Sequence, residues 1–125
     1  MQKYAIAGLG VTPQGVIPGT SAEKLAWDAA ELALQDSGLK RSQVNGYIYQ
    51  PGFGERTSGM AASRAGLGAN ATLQVDSSGA TGIFTLITAV GMIAAGTADY
   101  VMCVHATNAR SQTVTVGAGE KNPNA

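Results

Sequence analysis

Thr72-Leu73-Gln74-Val75-Asp76-Ser77-Ser78-Gly79-Ala80-Thr81-Gly82 is the stretch on which the reading of this chain turns. Residues 72–75 have the content of a short strand, and Asp76-Ser77-Ser78-Gly79 is turn chemistry. Residues 80–98 follow without a single charge, and residues 100–105 form another hydrophobic run. Strand, tight turn, buried helix and strand in that order predict an α/β chain with a mostly parallel sheet. Gly79 and Gly82 bracket the hand-over from strand to helix. Open α/β sheets place their ligands there, where helix N–H groups point at anything negative. Chemistry is expected at this corner.

Upstream, Tyr4-Ala5-Ile6-Ala7-Gly8-Leu9 predicts a first strand buried on both faces. Gly8-x-Gly10 invites a dinucleotide reading, but the third glycine of that fingerprint is replaced by Pro13, so a turn into an ordered loop is preferred. Thr20-Ser21-Ala22-Glu23 has the form of a capping box and Gly38 suits the position just past a helix end. The helix between them carries Leu25, Ala29 and Leu32 at i, i+4 and i+7, with Trp27 assigned to packing. Residues 44–50, with Tyr47-Ile48-Tyr49, predict a strand stopped by Pro51-Gly52-Phe53-Gly54. Met60, Ala61, Arg64 and Leu67 fit one face of a short helix, and Glu55-Arg56 reads as a solvated charge pair.

Downstream of the corner, Ile83, Leu86, Ile87, Val90, Ile93 and Ala94 give the helix its apolar stripe, and Gly82, Ala89 and Gly91 permit close approach of backbones. The run is long enough to raise the question of a membrane span. Thr81, Thr85, Thr88, Gly91, Gly96 and Thr97 dilute it, Asp76 and Asp99 bracket it and no basic anchor follows. A helix buried on all sides is predicted, with no membrane insertion.

At 125 residues the chain is one domain's worth, 45% hydrophobic and only 13% charged. Average soluble domains carry roughly 25% charged residues, so much of this surface is expected to be covered by a partner subunit or by more of its own chain. Eight basic and eight acidic residues cancel, and no Lys/Arg run exceeds Lys40-Arg41. That excludes an electrostatic footprint for nucleic acid or an anionic membrane. Cys103 is the single cysteine, which removes an intramolecular disulfide and fits a reducing, cytoplasmic setting. One histidine and one cysteine do not make a metal site.

Val75-Asp76-Ser77-Ser78-Gly79-Ala80-Thr81-Gly82, Ala95-Gly96-Thr97-Ala98-Asp99 and Ala106-Thr107-Asn108, together with Ala5-Ile6-Ala7-Gly8-Leu9-Gly10-Val11-Thr12-Pro13 and Gly19-Thr20-Ser21-Ala22-Glu23-Lys24-Leu25-Ala26, resemble the thiolase superfamily. Within it the chain resembles the lipid-transfer-protein branch, the sterol carrier protein thiolases and their relatives. The resemblance implies a three-layer α/β/α fold of which this is the N-terminal half only, in the order β-α-β-α-β-α-β. Residues 1–107 would be a partial N-terminal thiolase-like domain and residues 108–125 a polar segment leading into a loop region. The chain then reads as an N-terminal fragment or one piece of a split subunit.

A thiolase would carry its acyl-accepting cysteine at this corner, in a pattern like Cys-Ala-Ser-Gly, and the aligned residues here are Gly79-Ala80-Thr81-Gly82. Glycine cannot form a thioester, so an acyl-enzyme at Gly79 is excluded on chemical grounds. The resemblance therefore implies an acyl-CoA enzyme making or breaking a carbon–carbon bond without covalent catalysis, by retro-aldol cleavage of a lipid or steroid side-chain acyl-CoA as some lipid-transfer-type aldolases do, or by related acyl transfer. Ser77, Ser78 and the Gly79 backbone would bind substrate, with coenzyme A as part of the substrate and no other cofactor. Catalytic tyrosines would lie beyond Ala125. The implied partners are a second copy, paired through the strand at 72–76, and a small acyl-CoA-binding protein.

Competing readings stand beside this one. Small residues at the corner can serve only to pass a buried strand into a buried helix. A non-catalytic thiolase-like subunit and a stand-alone flavodoxin-like nucleotide domain are the alternatives for the whole. A serine nucleophile is disfavoured because His105 is the sole histidine and has no companion acid in register. Asp76 is expected to bond to turn N–H groups, His105 to be a satisfied buried or interface residue, and Cys103 to be an inert core thiol.

Overall fold

The computed structural model describes residues 2–50 and 66–112. Helix α1 spans Ala22–Ser37, strand β1 Gly46–Gln50, strand β2 Ala71–Gln74, helix α2 Thr81–Ala94 and strand β3 Val101–His105. The three strands form one parallel sheet in the order β2-β1-β3, with Ile48 opposite Leu73 on one side and Cys103 on the other. This is the α/β architecture expected of a thiolase-like half domain. The short helix predicted from Met60, Ala61 and Arg64, and the Glu55-Arg56 pair, lie outside the described residues.

Local chemistry explains the first helix. Ser21 accepts a hydrogen bond from the Lys24 N–H at 3.0 Å, and Gly38, at φ 72°, closes the other end by donating to the Leu34 carbonyl at 3.0 Å. A serine cap of this kind contributes about 1 kcal/mol. The cap is thus Ser21 with Lys24 three residues on, so the Thr20-to-Glu23 box is displaced by one residue. The buried face is Ala22, Leu25, Ala26, Ala30 and Leu34. Leu32, predicted on that face, is exposed instead.

Asn45 ties the starts of the strands together. Its side-chain oxygen accepts from Asp99 N–H at 2.8 Å and Tyr100 N–H at 3.2 Å, and its amide donates to the Asp99 carboxylate at 3.1 Å. Its backbone carbonyl accepts from Asn70 and Ala71. Beside it Gly46 is required, since a β-carbon there would lie 2.9 Å from that of Ala98.

Two apolar clusters lie on opposite faces of the sheet. On the α1 side Leu25, Ala26, Ala30 and Leu34 pack with Val44, Tyr47, Leu67, Met102, Val104 and Ala106. On the α2 side the cluster is Ile48, Ala89, Met92 and Ala98.

Two expectations are corrected here. Residues 4–9 are not a strand buried on both faces: they have no sheet partner among the described residues, and Ile6 and Leu9 are more than two-thirds exposed. Their apolar run was a valid strand signal, but a strand needs a neighbour to pair with. Gly8 and Gly10 instead press this segment onto α1, where a β-carbon would come within 2.4 Å of the Ala33 carbonyl oxygen and 2.0 Å of that of Ala29. The second correction concerns α2. It lays Thr81, Thr85, Ala89 and Met92 on the sheet and turns Ile83, Phe84, Leu86, Ile87 and Val90 outward, exposed. The helix is not covered on all sides among the described residues, and Gly82 and Gly91 meet no neighbouring atom within 4 Å.

Candidate functional site

The corner after β2 is where the sequence places it. β2 ends at Gln74, residues 78–80 form a single 3-10 turn and α2 begins at Thr81. Tyr49 steadies the approach, donating from its hydroxyl to Gln74 Oε1 at 3.0 Å and accepting through its carbonyl from Val75 N–H at 3.1 Å.

Thr81 holds the turn. Its hydroxyl donates to the Ser78 carbonyl and accepts from the Ser77 N–H, both at 2.7 Å, and the residue is fully buried. Asp76 plays the Asx role expected of it, accepting from Ser78 N–H at 3.3 Å. Between these anchors Ser78 adopts φ 52°, the one non-glycine residue with positive φ among the described residues. A left-handed serine costs roughly 1 kcal/mol or more relative to glycine, so the bonds around it hold a strained backbone.

Ser77, Ser78 and Gly79 are brought together on the exposed side of this turn. A β-carbon on Gly79 would meet nothing within 4 Å. The corner therefore has room for a side chain at the position where glycine stands. Among the described residues, packing does not demand glycine at 79. No side chain caps the first turn of α2, which leaves the positive end of the helix dipole open beside Gly79. Thr85, one turn further on, has a buried hydroxyl without a hydrogen-bond partner among the described residues.

His105 ends β3 and is exposed. Partial desolvation lowers its pKa, opposed by a hydrogen bond with the backbone of Gln50. β1 lies between β3 and β2, which sets their backbones about 9–10 Å apart and separates His105 from the serines. A serine–histidine pair is not assembled. Cys103 is half-buried, and burial pushes its thiol up to about 11, which keeps it protonated at neutral pH. Tyr47 is raised to about 12 by desolvation, with Tyr49 and Glu23 adding to it. Among the described residues no group of three or more His, Cys, Asp or Glu is placed to hold a metal, and no helix is long and apolar enough to cross a membrane.

Two features escaped the sequence reading. The positive φ of Ser78 has no signal in a Ser-Ser-Gly run, where Gly79 is the natural candidate for it. The grip of Thr81 was legible in principle, as a threonine at the start of a helix four residues after Ser77.

The chain has a thiolase-like fold, of the type found in sterol carrier protein (SCP2) thiolase-like proteins. It matches the Ltp2-ChsH2(DUF35) aldolase with a TM-score of 0.78 and 32% identity, over 91% of this chain and 30% of that one. A monomeric SCP2-thiolase-like protein from Mycobacterium smegmatis matches at 0.67 and 24% identity, over 91% of this chain and 26% of that one. The 3-oxoacyl-[acyl-carrier-protein] synthase III of Aquifex aeolicus VF5 matches at 0.64 and 17% identity, over 75% and 32%. The chain thus spans about a third or less of each of these structures. No family model and no curated sequence matches it.

Proposed function

We propose that the protein is a thiolase-like acyl-CoA enzyme that has given up the cysteine nucleophile and cleaves or forms a carbon–carbon bond by aldol chemistry. The observation that carries this is the open space at Gly79, at the head of an uncapped helix, in a chain 32% identical to an aldolase over 91% of its length. The Gly79 N–H and the helix dipole would polarise the thioester oxygen of a bound β-hydroxyacyl-CoA. In the cleavage direction the β-hydroxyl loses its proton to a base, the Cα–Cβ bond breaks, and its electron pair passes into the thioester enolate held at the corner. Protonation of the α-carbon completes the turnover and frees an aldehyde or ketone.

Ser77 and Ser78 would orient the substrate. The general base would come from beyond Ala125, and coenzyme A enters as part of the substrate. A second copy would pair through the outer edge of β2, whose Thr72, Leu73 and Gln74 are exposed, and a small acyl-CoA-binding protein would deliver the substrate. The setting is the cytoplasm. The second reading is a non-catalytic subunit that shapes an acyl-CoA-processing complex. It is favoured only by the engagement of Asp76, whose carboxylate is bonded to the Ser78 N–H of the turn.

Incubation of the native-length protein with β-hydroxyacyl-CoA is expected to release a carbonyl product, measured by trapping with a hydrazine. Silence with every co-purifying partner present would leave the scaffold reading standing. Gly79→Cys is expected to gain no thiolase activity, and an acyl-enzyme detected in that variant by mass spectrometry would contradict the proposed pocket.

A further inference from the structure

Nearly every backbone donor in the turn between β2 and α2 is engaged. Ser77 N–H goes to the Thr81 hydroxyl, Ser78 N–H to the Asp76 carboxylate, Ala80 N–H to the Ser77 carbonyl and Thr81 N–H to the Ser78 carbonyl. Of residues 77–81, only Gly79 keeps an N–H without a partner among the described residues. That N–H shares a peptide unit with the Ser78 carbonyl. The unit is planar and trans, so its N–H and C=O point in opposite directions. The Ser78 oxygen accepts twice from Thr81, from the hydroxyl at 2.7 Å and from the backbone N–H. Both bonds draw it towards the start of α2, and the Gly79 N–H is thereby turned away from Thr81, on an exposed residue.

We propose that Thr81 is a positioning residue for the reaction: its hydroxyl holds the Ser78–Gly79 peptide so that the Gly79 N–H, and not the Ser78 carbonyl, meets the thioester oxygen. The inference rests on the aldol reading of this corner. A glycine at 79 makes the aim easy to lose. Turning the peptide over changes ψ of Ser78 and φ of Gly79, and glycine takes φ of either sign at little cost. The reversed unit would present the Ser78 oxygen, which repels a developing oxyanion. Thr81 opposes that reversal from a fixed place. The residue is fully buried, its one O–H is given to Ser78 and its oxygen accepts from Ser77, so neither bond is exchanged with water.

Two variants of the native-length protein test this, Thr81→Val, which keeps the shape and removes the hydroxyl, and Thr81→Ser, which keeps the hydroxyl. With β-hydroxyacyl-CoA, Thr81→Val is expected to lower kcat at least about tenfold, up to the roughly 100–1000-fold that a missing oxyanion donor costs, while KM changes less than about twofold. Thr81→Ser is expected to stay within about threefold of the wild type in kcat. Undiminished kcat in Thr81→Val, or an equal fall in both variants, would overturn the proposal. Crystal structures give a readout independent of turnover: the 78–79 peptide is expected to be reversed in Thr81→Val and unchanged in Thr81→Ser. A peptide that keeps its orientation in Thr81→Val overturns the proposal whether or not the enzyme is active. A reversed peptide in a protein whose wild type cleaves nothing would instead uphold the grip of Thr81 and remove the aldol reading. Thr81→Ala, also without the hydroxyl, is read in the same way should Thr81→Val fail to fold.

Discussion

The two faces of the sheet are built on opposite plans. On one, α1 turns its leucines inward and the cluster closes with Tyr47, Met102 and Val104. On the other, α2 offers threonine, alanine and one methionine to the sheet and carries its large apolar residues outward. A small inner face lets α2 lie close to the strands, and the first residue of that face, Thr81, is also the one that grips the corner. The outward stripe contributes nothing to this sheet. Its residues have the character of a core and are uncovered among the described residues.

That contrast is broken most directly by paired substitutions, one on each helix. Leu34→Ala removes a buried side chain from the α1 cluster and is expected to cost about 3 kcal/mol, the usual range for such a cavity. Ile87→Ser alters a residue 58% exposed on α2 and is expected to change stability by less than about 0.5 kcal/mol in the 125-residue chain. Urea denaturation of both variants measures the difference. Equal losses would mean that the outward face of α2 is covered in this chain, and the two-plan description would fail.

A smaller effect sharpens the same comparison on the α1 side. Gly10→Ala puts a β-carbon within 2.0 Å of the Ala29 carbonyl oxygen and 2.6 Å of Ala33 N, backbone atoms of a helix that cannot yield. The cost is expected at about 1–3 kcal/mol, with amide exchange in residues 4–10 rising as the segment lifts off α1. Gly82→Ala, at a position with open space, is the control and is expected to be neutral or slightly stabilising. A neutral Gly10→Ala would show that the segment does not pack on α1 through its glycines.

Much of this was legible in the sequence because it is local. The cap at Ser21, the stop at Gly38, the strand around Tyr47-Ile48-Tyr49 and the strand-to-helix hand-over at residues 76–82 all follow from chemistry within a few residues. What was misread depends on distant partners. Periodicity finds the apolar stripe of α2 but cannot say which stripe meets the sheet, because the choice was made by the small residues on the other face. Residues 4–9 carry a strand signal that is realised only with a neighbour to bond to. Asn45 carries no local signal at all, since its six hydrogen bonds to Asn70, Ala71, Asp99 and Tyr100 span sequence gaps that no short motif covers.

The smallest expected effect lies at the corner itself. Ser78→Gly releases a residue held at φ 52° and is expected to stabilise the chain by up to about 1 kcal/mol, the gain from removing left-handed strain exceeding the entropy that glycine adds to the unfolded chain. The measurement is again a shift in the urea midpoint at unchanged slope. Strain retained at a residue that glycine would relieve fits the substrate-holding role proposed for this turn. If Ser78→Gly stabilises the native-length protein while lowering its turnover of β-hydroxyacyl-CoA, the serine is kept for the substrate. A stabilised variant with undiminished turnover would reduce Ser78 to an accident of the turn and leave the Gly79 backbone to act without it.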